Sequence, residues 1–227
     1  MDKVALLSYV REAIQAVPQV VKYLYSTYKS YDYFLAQVNG LVRGLYNGFI
    51  GGEFIDTLAN LISGQLWDAY EKAWFDEGGD GVVPDYLMKS YQEAVSSQYG
   101  YVDAFYRDIV DARIDQTSLD PLLVRASLWA NRYNEAYNEA VRLITLQGGG
   151  NMVWIEGDTN EKCSTFLALD GIVARASEWD ILGVKPQNGD NKKLECRGWN
   201  CQCQLVPTDK RRSRDAYGKI EAAIMGI

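Results

Sequence analysis

The sequence predicts an α+β chain: a helical N-terminal body followed by a small mixed α/β, cysteine-containing C-terminal unit. Three observations carry this. Through residue 147 the apolar residues recur at spacings of three and four, interrupted by glycine clusters and by prolines suited to helix starts. After Gly150 the period changes to short alternating runs. Three of the four cysteines then fall within the eight residues from Cys196 to Cys203.

Taken in order, Lys3 to Tyr28 carries Leu6, Val10, Ile14, Val17, Val21 and Leu24 on one stripe, with a kink expected at Pro18. A second helix is expected over Tyr31 to Tyr46. A third runs from near Gly52 to Phe75 through Phe54, Leu58, Leu61, Ile62, Leu66 and Trp67, until "DEGGDG" (Asp76–Gly81) stops it. Pro84 suits the first turn of a fourth helix reaching about Ile114. The fifth has Asp120 as N-cap before Pro121, a stripe of Leu122, Ala126, Trp129, Tyr133, Ala136, Ala140 and Leu143, and Gly148 as its end. On it Arg125 and Arg132, seven apart, read as surface arginines whose stems cover apolar neighbours.

Beyond Gly150, "NMVWIEG" is a short β-like run, "LALDGIVARASEW" holds an Asp-Gly turn between apolar flanks, and "CQCQLVP" alternates residue by residue. A unit this small buries little core, and such units commonly need a metal, a disulfide or a larger body to dock on. A terminal helix, "DAYGKIEAAIMGI", follows.

Composition narrows the function. A hydrophobic share of 48% and a charged share of 23% are ordinary, but 16 Tyr and 6 Trp are many, and aromatics with a polar tip suit core rims and interfaces. The net charge of -7 lies entirely in the first part: residues 1–150 carry 12 basic and 19 acidic side chains, residues 151–227 carry 11 of each. No apolar run approaches the roughly 18 residues of a membrane span, and the stretch between Lys3 and Arg11 is too short for a secretory signal. The chain is therefore expected to be made and initially kept in a cytoplasm, with reduced thiols. The absence of histidine removes Ser-His-Asp and Cys-His catalysis and the HExxH proteases. Neither a GxxxxGKS/T loop nor a strand-linked GxGxxG is present. Asp103, Asp108, Asp111 and Asp115 fall at mixed helical spacings and read as a solvated face rather than an acid/base pair.

In order along the chain, "WIEGD" from Trp154, "KCSTFLALDG" from Lys162, "SEW" from Ser177 and "LECRGWNCQCQLVP" from Leu194 resemble the C-terminal signature of phage head morphogenesis proteins, the Mu F-like minor head protein family. The resemblance spans about Arg125 to Asp209, and its specificity lies in the order and spacing of unusual residues. Two departures stand out. Phe166 occupies the place of a second cysteine, and "RGWN" stands where many members have a histidine; Cys196 lies just upstream. The chain then divides into a helical region (1–117), the signature region (118–209) and a basic segment with a terminal helix (210–227).

The resemblance implies a structural role in virion assembly: a minor head protein in few copies at or near the portal vertex, supporting head assembly and DNA packaging or delivery, without catalysis. Portal protein and capsid or scaffold proteins are its expected partners, with packaged double-stranded DNA as a further one and no membrane. The alternative is a zinc-stabilised nucleic-acid-binding protein acting in the host; a cysteine or carboxylate enzyme is a third class. If the family's cysteines cluster, Cys163, Cys196, Cys201 and Cys203 are the set here. Zinc held by four thiolates, with Lys162, Lys193 and Arg197 offsetting the charge, is one state; packed thiols, or a disulfide formed after release, are the others.

The one dense basic run, "KRRSR", offers Lys210, Arg211, Arg212 and Arg214 either as a solvated segment before the last helix or as phosphate contacts. Four contacts predict sequence-independent duplex binding with a logarithmic salt slope of about -3 to -4.

Overall fold

The computed structural model describes residues 31–155, 163–187, 191–198 and 203–226. The amphipathic run from Lys3 to Tyr28, with Pro18, lies outside the described residues. The fold is α+β. Its helices are α1 (Tyr31–Tyr46), α2 (Glu53–Asp76), α3 (Asp85–Ile114), α4 (Asp120–Gln147), α5 (Ser164–Leu169), α6 (Ala176–Leu182) and α7 (Ala216–Met225). Its strands are β1 (Asn151–Ile155), β2 (Val173–Arg175) and β3 (Gln204–Thr208).

Five of these helices stop in the same way. The second residue past the helix, or for α6 the first, turns left-handed, and two backbone N–H groups reach back to carbonyls three and five residues earlier, as Gly48 N does to Leu45 O (3.0 Å) and Phe49 N to Gly44 O (2.8 Å). The turning residues are Gly48, Gly78, Gln116, Gly149 and Gly183, with φ of 76°, 83°, 53°, 67° and 63°. For α4 the turning glycine is thus Gly149, with Gly148 one position before it. The start of α4 also differs from expectation: Ser118 Oγ accepts from Asp120 N at 3.2 Å, which places Asp120 in the first turn.

The described chain divides into two compact units, and the division falls within α2, α3 and α4. The first takes the residues up to Trp67 with Asp80–Val83 and Gln92–Arg132. Its core is built from one stripe per helix: Phe34, Val38, Val42 and Leu45; Phe54, Leu58, Ile62 and Leu66; Val102, Phe105 and Ile109; Leu122, Ala126 and Trp129. The Phe105 and Trp129 rings meet edge to face at 5.0 Å, and Trp129 Nε1 donates to Gln98 Oε1 at 3.2 Å. Arg125 pairs with Asp108 and lies over the Phe105 ring at 5.1 Å, covering it as its position predicts.

The second unit takes Asp68–Gly79, Pro84–Tyr91 and the described residues from Tyr133 on. It contains the sheet, in order β2-β1-β3, with both pairings antiparallel. Met152 and Trp154 share one face of β1, since side chains alternate along a strand, and both are fully buried. The Trp154 ring lies 5.8 Å from that of Trp179 on α6, whose Nε1 donates to Met152 O at 3.3 Å. Helix α7 packs on α5, α6 and β2 through Ala216, Ile220 and Ala223.

Candidate functional site

Strand β3 joins the two groups of residues that the sequence singles out. At its start lies Cys203, buried; after its end comes the basic run. β3 pairs with β1 from Gln204 opposite Ile155 to Thr208 opposite Asn151.

The basic run is an ordered strap. Asn151 Nδ2 donates to Lys210 O (3.1 Å), and Lys210 N donates to Thr208 Oγ1 (3.2 Å). Three residues on, Ser213 N donates to Val173 O (2.8 Å) while Val173 N donates to Ser213 Oγ (3.0 Å). The chain thus passes from one edge of the sheet to the other and satisfies backbone groups of β2 that face away from β1. Arg212 turns inward: its guanidinium grips both carboxylate oxygens of Glu178, with Nε 2.8 Å from Oε2. The same carboxylate accepts from Arg175 N at 2.9 Å at the start of α6. The Arg212 hydrogen bonds hold the Glu178 carboxyl below the usual carboxylate range. Lys210, Arg211 and Arg214 remain exposed. The strap can therefore offer three cations to an anion, while Arg212 fixes its course. Glu178 was not singled out from the sequence; the signal was a glutamate three residues into a helix start.

Around the cysteines, a second docking is evident. Glu195 Oε2 accepts from Ser164 N (2.5 Å) and Ser164 Oγ (2.9 Å), and Glu195 N donates to Thr165 Oγ1 at 3.3 Å. These bonds cap α5 and hold the Glu195 carboxyl below its usual range, the Ser164 backbone N–H contributing most. Cys163 and Cys196, both half-buried, are the chain neighbours of that bonded pair. Cys163, with extended backbone, immediately precedes α5. Lys193 Nζ donates to Leu182 O at the end of α6, and Asn191 Nδ2 bridges Gly183 O (3.2 Å) and Lys185 O (3.1 Å). Cys201 and Lys162 lie outside the described residues. Among the described residues, no three Cys, Asp or Glu side chains are arranged to hold a metal ion.

An ion network centred on one buried arginine, with no signal in the sequence, lies in the same unit. Arg142, 5% exposed, forks onto Glu139 (2.8 and 2.7 Å) and reaches Asp180 Oδ1 at 2.5 Å; Lys185 Nζ lies 3.3 Å from Glu139 Oε1. Burial pushes the Glu139 carboxyl up, but the bonds and charge of Arg142, with Lys185, outweigh it and leave it lowered. Two positive and two negative groups balance, and α4 is thereby tied to α6 and the turn after it.

In comparisons with family models, curated proteins and solved structures, nothing matches the chain. The resemblance quoted above therefore rests on its residues alone. Among the described residues no helix is long and apolar enough to cross a membrane. Chemically, the site is a cationic strap on a sheet whose cysteine-bearing turn is clamped to α5.

Proposed function

We propose that this chain is a minor head protein of a tailed phage or prophage, held at or near the portal vertex, where it supports head assembly and DNA packaging or delivery without catalysis. One observation supports the reading beyond the resemblance itself. The described parts of the quoted motifs, scattered over some fifty residues, fall on β1, α5 with the turn after it, α6 and β3 of one packed sheet unit, where Trp154 meets Trp179. Portal, capsid or scaffold proteins are its proposed partners, and packaged duplex DNA is the proposed ligand of the strap. A cluster of Cys163, Cys196, Cys201 and Cys203, as a zinc site, packed thiols or a disulfide, belongs to the same proposal. Native mass spectrometry separates these states: one zinc per chain, lost with Cys203→Ser, identifies the metal.

The test is genetic. A stop codon early in the gene of the phage or prophage should yield few infectious particles, with assembly restored by the intact chain in trans. Wild-type yields of infectious particles from the stop allele would contradict the proposal.

A further inference from the structure

Of the four cations in the basic run, Lys210, Arg211 and Arg214 are exposed, and Arg212 is engaged within the chain. A guanidinium recognises a phosphate through two parallel N–H groups. Arg212 gives that same edge to Glu178: Nε and Nη2 donate to the two carboxylate oxygens, the first at 2.8 Å. The carboxylate thus takes the place that a phosphate would take. The pair is open to solvent on the arginine's side, with the Arg212 side chain 36% exposed and that of Glu178 15%.

The course of the strap does not depend on this pair alone. On one side of Arg212, Asn151 Nδ2 holds Lys210 O at 3.1 Å; on the other, Ser213 and Val173 exchange bonds of 2.8 and 3.0 Å. Glu178 also accepts from Arg175 N at 2.9 Å at the start of α6, a bond that the uncharged oxygen of a glutamine can accept as well. Asp215, the other carboxylate whose charge acts on Arg212, is turned onto α7, where its Oδ2 would stand 2.7 Å from a Cβ on Gly218. We infer that Glu178 is an internal competitor for phosphate, which withholds Arg212 from duplex DNA and so sets how tightly the strap binds. This rests on the reading of duplex DNA as the ligand of the strap. While the pair is closed its net charge is zero and the duplex meets three cations; with a neutral residue at 178, Arg212 becomes a fourth.

Fluorescence titrations of a DNA duplex with the full chain, over a range of salt, test it. Wild type should give a logarithmic salt slope of about -2.7, and Glu178→Gln should steepen it to about -3.6. The double variant Glu178→Gln, Arg212→Gln removes a neutral pair, so its slope should return to the wild-type value. Circular dichroism should be the same for all three chains. A second measurement uses the unaltered chain: in arginine modification by phenylglyoxal, read by mass spectrometry, duplex DNA should protect Arg211 and Arg214 and leave Arg212 as reactive as in the free chain. A Glu178→Gln chain with the wild-type slope overturns the inference and leaves the strap as the DNA contact. So does a double variant whose slope falls below that of wild type, or protection of Arg212 by DNA in the unaltered chain. A wild type that binds no duplex at low salt removes the ligand reading itself, and the inference with it.

Discussion

Arg142 shows what a single residue contributes that no local pattern announces. It sits on α4 at a position that periodicity assigns no special role, and its partners lie three residues away (Glu139) and thirty-eight away (Asp180). Only the folded chain brings them together. Replacing it by Gln should destabilise the protein by about 1–3 kcal/mol in urea unfolding at pH 7, because the charged hydrogen bonds to Glu139 and Asp180 are lost and half-buried Glu139 keeps Lys185 alone as a cation. The pH dependence has a definite sign. A carboxyl whose folded pKa is depressed contributes stability above its unfolded value and loses it as pH falls through the folded one, here below 4.5. The gap between wild type and Arg142→Gln should therefore be widest above about pH 5 and close under acid conditions. A gap independent of pH would mean that packing, not charge, carries the effect.

Among the elements, helix ends were partly legible. "DEGGDG" and "GGG" mark the ends of α2 and α4 because glycine takes the left-handed turn without strain. The end of α3 uses Gln116 at φ 53°, which no turn signal in the sequence gives away. That position carries strain, so Gln116→Gly should stabilise the protein by about 0.5–1 kcal/mol, read as a higher thermal midpoint without change in spectrum. An unchanged or lowered midpoint would show that another contact of Gln116 matters more. The alternation of "CQCQLVP" predicts a strand, and β3 is there, beginning at Gln204. Helix α5 was not legible: six residues carry no period, and its start depends on Glu195, thirty-one residues on from Ser164. The strap was legible as charge but not as structure, since the Arg212–Glu178 fork spans thirty-four residues.

At the scale of the whole molecule, the α+β class follows from the change of period at Gly150, and the described structure has it. With Arg212 engaged by Glu178, three strap cations remain for phosphate, and about 0.9 counterions released per contact give a salt slope near -2.7 on duplex DNA. Replacing Lys210, Arg211 and Arg214 by Gln should flatten the slope nearly to zero in fluorescence titrations, whereas a slope unaffected by the triple change would move the DNA contact elsewhere. The acidic helical region, by contrast, is proposed to meet proteins, so deleting residues 1–80 should abolish incorporation into heads. The central proposal, a structural protein of the virion head, is tested most directly by quantitative mass spectrometry of purified particles. The account predicts peptides of this chain in full, tail-bearing particles at a few copies per portal vertex. Their absence from such particles, with the chain abundant in the infected or induced host lysate, would contradict it.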